Sequence, residues 1–163
     1  MSASDRARFL LISGAGLGLA PFASGTFGTL GGIAVAVLLQ LVCGSASLAL
    51  WLAVAAVLLL AVGCSMTSFV ERTFPHKDPG VFVLDEIVGY LVALAIVVAS
   101  GREAGVLVHA VTFFAFRAFD VIKPFPADRL ERVHGAPGIM LDDVMAGIYA
   151  GVAAWLATWL LHL

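Results

Sequence analysis

The sequence predicts an all-α integral membrane protein: a helical bundle with about five transmembrane helices, preceded by an N-terminal interfacial segment. Three observations carry this. Of 163 residues, 61 % are hydrophobic and only 12 % charged, whereas a soluble domain carries about a quarter charged residues. Mean hydropathy is +1.05, so the chain has too little polar surface to cover itself in water. The apolar residues fall into runs long enough to span a bilayer, separated by short polar stretches. Nothing marks a linker or a domain boundary, so residues 1–163 read as one membrane-embedded domain.

Each element follows in order. Residues 9–26 are apolar but interrupted by Gly14, Gly16, Gly18, Pro21 and Gly25, which argues for a short interfacial helix and a loop. No cleaved leader is expected, since the apolar run after Arg8 is short and lacks a small-residue cleavage site. Residues 27–42 form the first expected span, with Gly28 and Gly32 spaced for close helix packing. Residues 46–66 form the second, about twenty residues without a charge. A polar loop over 71–80 precedes the third span, 84–100, which opens with Asp85 and Glu86. A tight connection over 101–104 leads to the fourth span, 105–122. Pro124 and Pro126 stop it, because the residue before proline avoids helical dihedrals. A second polar loop over 126–139 leads to the fifth span, 141–161, with Gly147 and Gly151 four apart.

An odd number of spans gives the bundle a polarity. With the N-terminus inside, Arg6, Arg8, Arg72, Lys77, Lys123, Arg129 and Arg132 lie on the cytoplasmic side, and Arg102 on the other. That asymmetry is what the positive-inside rule expects. It also brings the polar clusters to the cytoplasmic face.

Several function classes drop out. A net charge of −2 with few basic residues makes nucleic acid an improbable partner. Cys43 and Cys64 read as small core residues rather than a disulfide framework or a zinc site. The chain contains no H-E-x-x-H, G-x-S-x-G, G-x-G-x-x-G or P-loop pattern.

What remains is a set of charges in costly places. Asp85-Glu86 and Asp142-Asp143 are paired acids at the expected starts of two spans, each followed by a glycine. A carboxylate at mid-bilayer costs about 2.5–3.5 kcal/mol even on the lenient insertion scale. Four of them converging at one interface suit a hard divalent cation such as Mg²⁺, while helix capping is the plainer role for either pair alone. Arg117, Asp120 and Lys123 follow at i, i+3 steps, which suits either a phosphate clamp or an internal ion pair with a snorkelling lysine. Ser24 and Thr26 stand where hydroxyls and free amides meet a helix start, although Thr26 as a simple N-cap explains the pattern too. His134, beside Gly135, lies in the loop that enters the last acidic helix, and His109 reads as an interior histidine.

With these residues in place, the chain resembles the bacterial phosphatidylglycerophosphatase A family. The resemblance rests on Gly16-Leu-Gly-Leu-Ala-Pro21 with Gly25-Thr26, on Asp78-Pro-Gly80, and on Leu84-Asp-Glu-Ile-Val-Gly89. It continues through Phe116-Arg117, Asp120, Lys123-Pro-Phe-Pro126, His134-Gly135, Gly138-Ile-Met140, Asp142-Asp143 and Ala146-Gly147, in family order over nearly the whole chain. Ser24 stands where the family often has proline, and Pro137 replaces a more usual residue. The resemblance implies a Mg²⁺-dependent enzyme of the bacterial inner membrane, its active site facing the cytoplasm. It would hydrolyse the phospholipid phosphatidylglycerophosphate to phosphatidylglycerol and phosphate.

On that basis Asp85, Glu86, Asp142 and Asp143 would hold the metal. Arg117 and Lys123, helped by Ser24 and Thr26, would bind the phosphate. Asp120 would orient Lys123 or act as base, and His134 would protonate the leaving oxygen. Two other classes compete: a small cation- or proton-coupled transporter, with acids near mid-helix, and another metal-dependent lipid headgroup phosphotransferase. The oligomeric state is not legible.

Overall fold

A computed structural model describes residues 2–74, 79–130 and 133–162. His76, Lys77, Asp78 and Arg132 lie outside the described residues, among them the Asp78 of the family motif and two of the expected cytoplasmic cations.

Among the described residues the chain is helical throughout, with no strand. Helix α1 (Ala3–Ile12) and a 3₁₀ turn at Leu17–Leu19 precede α2 (Ser24–Cys43). A second 3₁₀ turn at Ser45–Ser47 leads into α3 (Leu48–Cys64), followed by α4 (Thr67–Thr73), α5 (Leu84–Ala99) and α6 (Val106–Ile122). The short α7 (Ala127–Leu130) precedes α8 (Ala136–Leu160).

Among the described residues, three stretches are long and apolar enough, by length and composition, to cross a membrane: Ser24–Cys43, Ser45–Cys64 and Ala136–Leu160. That is fewer than the five expected. Helices α5 and α6 have 16 and 17 residues, about 24–26 Å at about 1.5 Å per residue, short of a hydrocarbon core of about 30 Å.

Helix boundaries also moved. α8 begins at Ala136, five residues before the expected start at 141, with proline in its first two positions. Pro137 and Gly138 looked like loop, but a proline in the first turn gives up only an N–H that has no helical partner. Likewise α2 begins at Ser24, after Ala23 in a left-handed conformation (φ 49°), so Thr26 is its third residue rather than its cap. The polar loop expected over 71–80 begins as the last turn of α4.

The centre of the bundle is α5, which packs most extensively on α8. Small residues allow it. A Cβ at Gly147 would strike the Gly89 carbonyl, one at Gly151 would lie 2.9 Å from the Ala93 carbonyl, and one at Gly32 would lie 3.0 Å from the Tyr90 ring. The backbones therefore approach closely along both seams, as small-residue membrane interfaces do. Tyr90, Leu91, Ala93, Leu94 and Val97 are fully buried along α5. Its outer neighbours expose Leu41, Val42, Leu50, Val57, Trp159 and other large apolar side chains, a surface suited to lipid.

α2, α5 and α8 start at the same end. Gly28 on α2 meets Val83 and Glu86, Gly89 on α5 meets the Asp143 carbonyl, and Gly63 near the end of α3 meets Met140. The C-terminus of α6 arrives there through Lys123. α1 is tied to this end as well: the Val83 N–H donates to the Ile12 carbonyl at 2.8 Å, and Arg72 pairs with Asp5 at 2.7 Å. Asp85, Glu86, Arg117, Asp120, Lys123, Asp142 and Asp143 thus share one end of the bundle, while Arg102 and Glu103 line a small recess with Ser45 and Leu48 at the other.

Candidate active site

A cavity of about 380 Å³ opens at the shared end. The starts of α2, α5 and α8 and the end of α6 form its walls. α2 contributes Ser24 and Gly25; α5 contributes Asp85 and Glu86; α6 contributes Arg117 and Asp120, with Lys123 just beyond it; α8 contributes Asp142 and Asp143.

Asp85 and Glu86 are the second and third residues of α5, and Asp142 and Asp143 the seventh and eighth of α8. The α8 pair was expected at its helix start, but the earlier start of α8 places it in the second turn, beyond the reach of a cap. Capping explains only part of the α5 pair: Asp85 accepts the Glu86 N–H at 3.0 Å. Asp85, Glu86 and Asp143 each offer a carboxylate oxygen within 4.8 Å of the others. Glu86 Oε2 and Asp143 Oδ2 are buried with no hydrogen-bond partner. A buried carboxylate oxygen without a donor is costly.

The cations are held. Arg117 donates to Asp120 Oδ2 at 2.5 Å, and Lys123 donates to Asp142 Oδ2 at 2.7 Å. The i, i+3 ion pair foreseen between Arg117 and Asp120 is present, and Lys123 is held by Asp142, from another helix. Lys123 is also the C-cap of α6, in a left-handed conformation (φ 46°), which turns the chain out of the helix and brings its amine back over α8. Among the described residues the cavity's five carboxylates outnumber its two cations.

Gly25 closes the gap between α2 and this cluster. A Cβ there would lie 2.6 Å from Glu86 Oε1 and 2.7 Å from Arg117 Nη1. A side chain at this position would displace both groups.

The expected site residues do not all meet. Ser24, Asp85, Glu86, Arg117, Asp120, Lys123, Asp142 and Asp143 line the cavity; Thr26 and His134 do not. Thr26 is half-buried within the first turn of α2, and His134 is exposed in the bend before α8. Other contributors had no signal of their own. Phe82 and Ile139 supply apolar wall. Tyr149 on α8 donates to the Phe125 carbonyl at 2.8 Å, anchoring the segment after Lys123. A backbone acceptor leaves no trace in sequence spacing.

The family model described as phosphatidylglycerophosphatase A matches residues 10–158. The chain belongs to the phosphatidylglycerophosphatase A family. A phosphatidylglycerophosphatase A of Haemophilus influenzae is 34 % identical over 142 residues, covering 86 % of this chain and 82 % of its own length. The Escherichia coli protein of the same name is 30 % identical over 142 residues, 85 % of this chain and 76 % of its own. A Bacteroides thetaiotaomicron protein named "Putative phosphatidylinositol-3-phosphatase" is 33 % identical over 141 residues, 86 % of this chain and 87 % of its own. No solved structure matches the chain at a significant level. The stretches that carried the resemblance to phosphatidylglycerophosphatase A supply nearly every charged wall of the cavity, from Gly25 to Asp143.

Proposed function

We propose that the chain hydrolyses the terminal phosphate of phosphatidylglycerophosphate to give phosphatidylglycerol and inorganic phosphate, with Mg²⁺ held by Asp85, Glu86 and Asp143. The observation that carries this reading is the meeting, in one cavity, of two buried carboxylate oxygens without a hydrogen-bond donor, Glu86 Oε2 and Asp143 Oδ2, and two cations suited to a phosphomonoester. The donor set fits a hard divalent ion: all oxygen, anionic, closely grouped, with two buried oxygens that lack a hydrogen-bond donor. When bound, Mg²⁺ would polarise the phosphoryl group and neutralise charge that develops on its oxygens.

The chain's own residues do the rest. Asp142 holds Lys123, and Asp120 holds Arg117, so both cations are oriented before substrate arrives and lose little freedom on binding it. The positive end of the α2 macrodipole, at Ser24 and Gly25, faces the same space and favours a phosphate there. Asp120 lies in the wall and His134 outside it, which favours Asp120 as the group that takes a proton from the attacking water. Water adds to phosphorus, the phosphorus–oxygen bond to glycerol breaks, and a proton passes to the departing alkoxide.

The bundle is read as embedded in the bacterial inner membrane, with the cavity on the cytoplasmic side. Arg6, Arg8, Arg72, Lys123 and Arg129 gather at the cavity's end and Arg102 at the other, which supports that orientation. Helix α5 can be short because it is enclosed by longer helices and meets little lipid. The acids occupy the first two turns of their helices, which supports chemistry at the membrane surface over cation transport through mid-bilayer acids.

The test compares substrates. Purified protein in detergent with Mg²⁺ receives phosphatidylglycerophosphate, and separately phosphatidylinositol 3-phosphate. Phosphate and phosphatidylglycerol should appear from the first, at least about tenfold faster than phosphate from the second. Release from the phosphoinositide alone would reassign the substrate, and release from neither would end the phosphatase reading.

A further inference from the structure

A second concavity of about 400 Å³ adjoins the charged cavity and shares Ala23, Ser24 and Gly80 with it. Its other walls are Leu19, Ala20, Pro21, Phe22 and Val81, with no charged side chain among the described residues. We propose that this groove receives the glycerol-ester region and first acyl carbons of the lipid whose terminal phosphate occupies the charged cavity. The inference rests on the phosphatase reading and deepens it, by assigning residues that recognise the substrate as a lipid.

Size and continuity argue for it. At about 380 Å³ the charged cavity lies near the lower end of ligand sites; it has room for a phosphorylated headgroup but not for two acyl chains as well. A diacyl lipid bound by its terminal phosphate must therefore leave the cavity across its rim. The groove is a formed exit whose lining changes from charged to apolar as the lipid itself does. Gly18 builds its floor. A Cβ there would collide with the Val81 carbonyl, so only glycine lets the turn at Leu17–Leu19 lie flat against Val81.

The walls are both exposed and oriented. Phe22 is 71 % exposed and Leu19 59 % exposed, yet the Phe22 and Phe27 rings pair at 69° with a centroid distance of 6.2 Å. Exposed apolar side chains at a membrane surface bordering a phosphate cavity suit acyl carbon far better than water. The opposite rim, at Val121, is the competing exit.

The experiment compares the long-chain lipid in mixed micelles with its deacylated headgroup, glycerophosphoglycerophosphate. The headgroup is read by its own kcat/KM or, where turnover is too slow, by its inhibition constant against the lipid. Phe22→Ser and Leu19→Ser should each raise KM for the lipid about tenfold, equivalent to about 1.4 kcal/mol. They should leave kcat within about twofold and the headgroup's constant nearly unchanged, since transition-state contacts to phosphate are untouched. Leu41→Ser, on the exposed far end of α2, should alter neither substrate. Equal effects of the groove variants on both substrates, no effect on either, or the lipid-selective effect at Val121→Ser alone would each overturn the groove. A wild-type protein that releases phosphate from neither form would instead remove the phosphatase reading on which it rests.

Discussion

Asp143 and Glu86 each bury a carboxylate oxygen without a protein donor, and Asp143 is only 4 % exposed. Structure alone does not reward such an arrangement; a cation would. Replacing Asp143 by Asn keeps the shape and removes the charge, so phosphate release should fall at least about 100-fold. Without metal, the same change relieves crowding of like charges. The melting temperature of Asp143→Asn in EDTA should therefore equal or exceed that of the wild type, and a clear fall would mean that the carboxylate is a structural member. Lys123 and Asp142 behave in the opposite sense. Asp142 is nearly buried and paired at 2.7 Å, so Lys123→Met strands a carboxylate and should cost about 3 kcal/mol of stability. Lys123→Met combined with Asp142→Leu should cost less than the sum of the two single changes, because the pair at 2.7 Å is then lost only once. Denaturant unfolding of the single and double variants measures this, and an additive double variant would show that the pair contributes nothing.

Among elements, the α5–α8 seam decides where the acids meet. Gly147→Ala would press a methyl group on the Gly89 carbonyl and should destabilise by about 1–3 kcal/mol. Gly105→Ala, with nothing within 4 Å of the added carbon, should cost at most about 1 kcal/mol. Comparable losses would mean that the seam tolerates separation. Tyr149 tests the anchoring of the segment after Lys123. Tyr149→Phe keeps the ring near Phe119 and loses about 1 kcal/mol of hydrogen bonding; kcat/KM should drop several-fold while the melting temperature falls by only about 2–4 °C. The sequence shows these elements unevenly. Asp85-Glu86 is conspicuous because charges are expensive in an apolar run, and Gly28/Gly32 and Gly147/Gly151 announce close packing by spacing alone. The true start of α8 stays hidden, because Pro137 and Gly138 have the composition of a loop. The Lys123–Asp142 pair is invisible to any helical spacing rule, since its partners sit on different helices and meet only after a left-handed cap turns the chain.

For the whole molecule, the account requires one polar end facing the cytoplasm and an apolar belt around the rest. A cysteine replacing Arg129 should resist impermeant thiol reagents in intact cells and react once the membrane is opened; labelling from outside would invert the topology. The all-helical architecture was legible because composition leaves little else. The number of long spans was not, since periodicity does not reveal that α5 lies inside the bundle and needs fewer residues than a lipid-facing helix. The central claim is that acids divided between α5 and α8 form one cation site for phosphomonoester hydrolysis. Its most direct test is the rate of phosphate release from phosphatidylglycerophosphate as free Mg²⁺ is titrated, with wild type and Asp143→Asn side by side. The wild type should show saturable activation and abolition by EDTA, with the variant at least about 100-fold slower at every Mg²⁺ concentration. Release that persists in EDTA, or that Asp143→Asn leaves at wild-type speed, would contradict it.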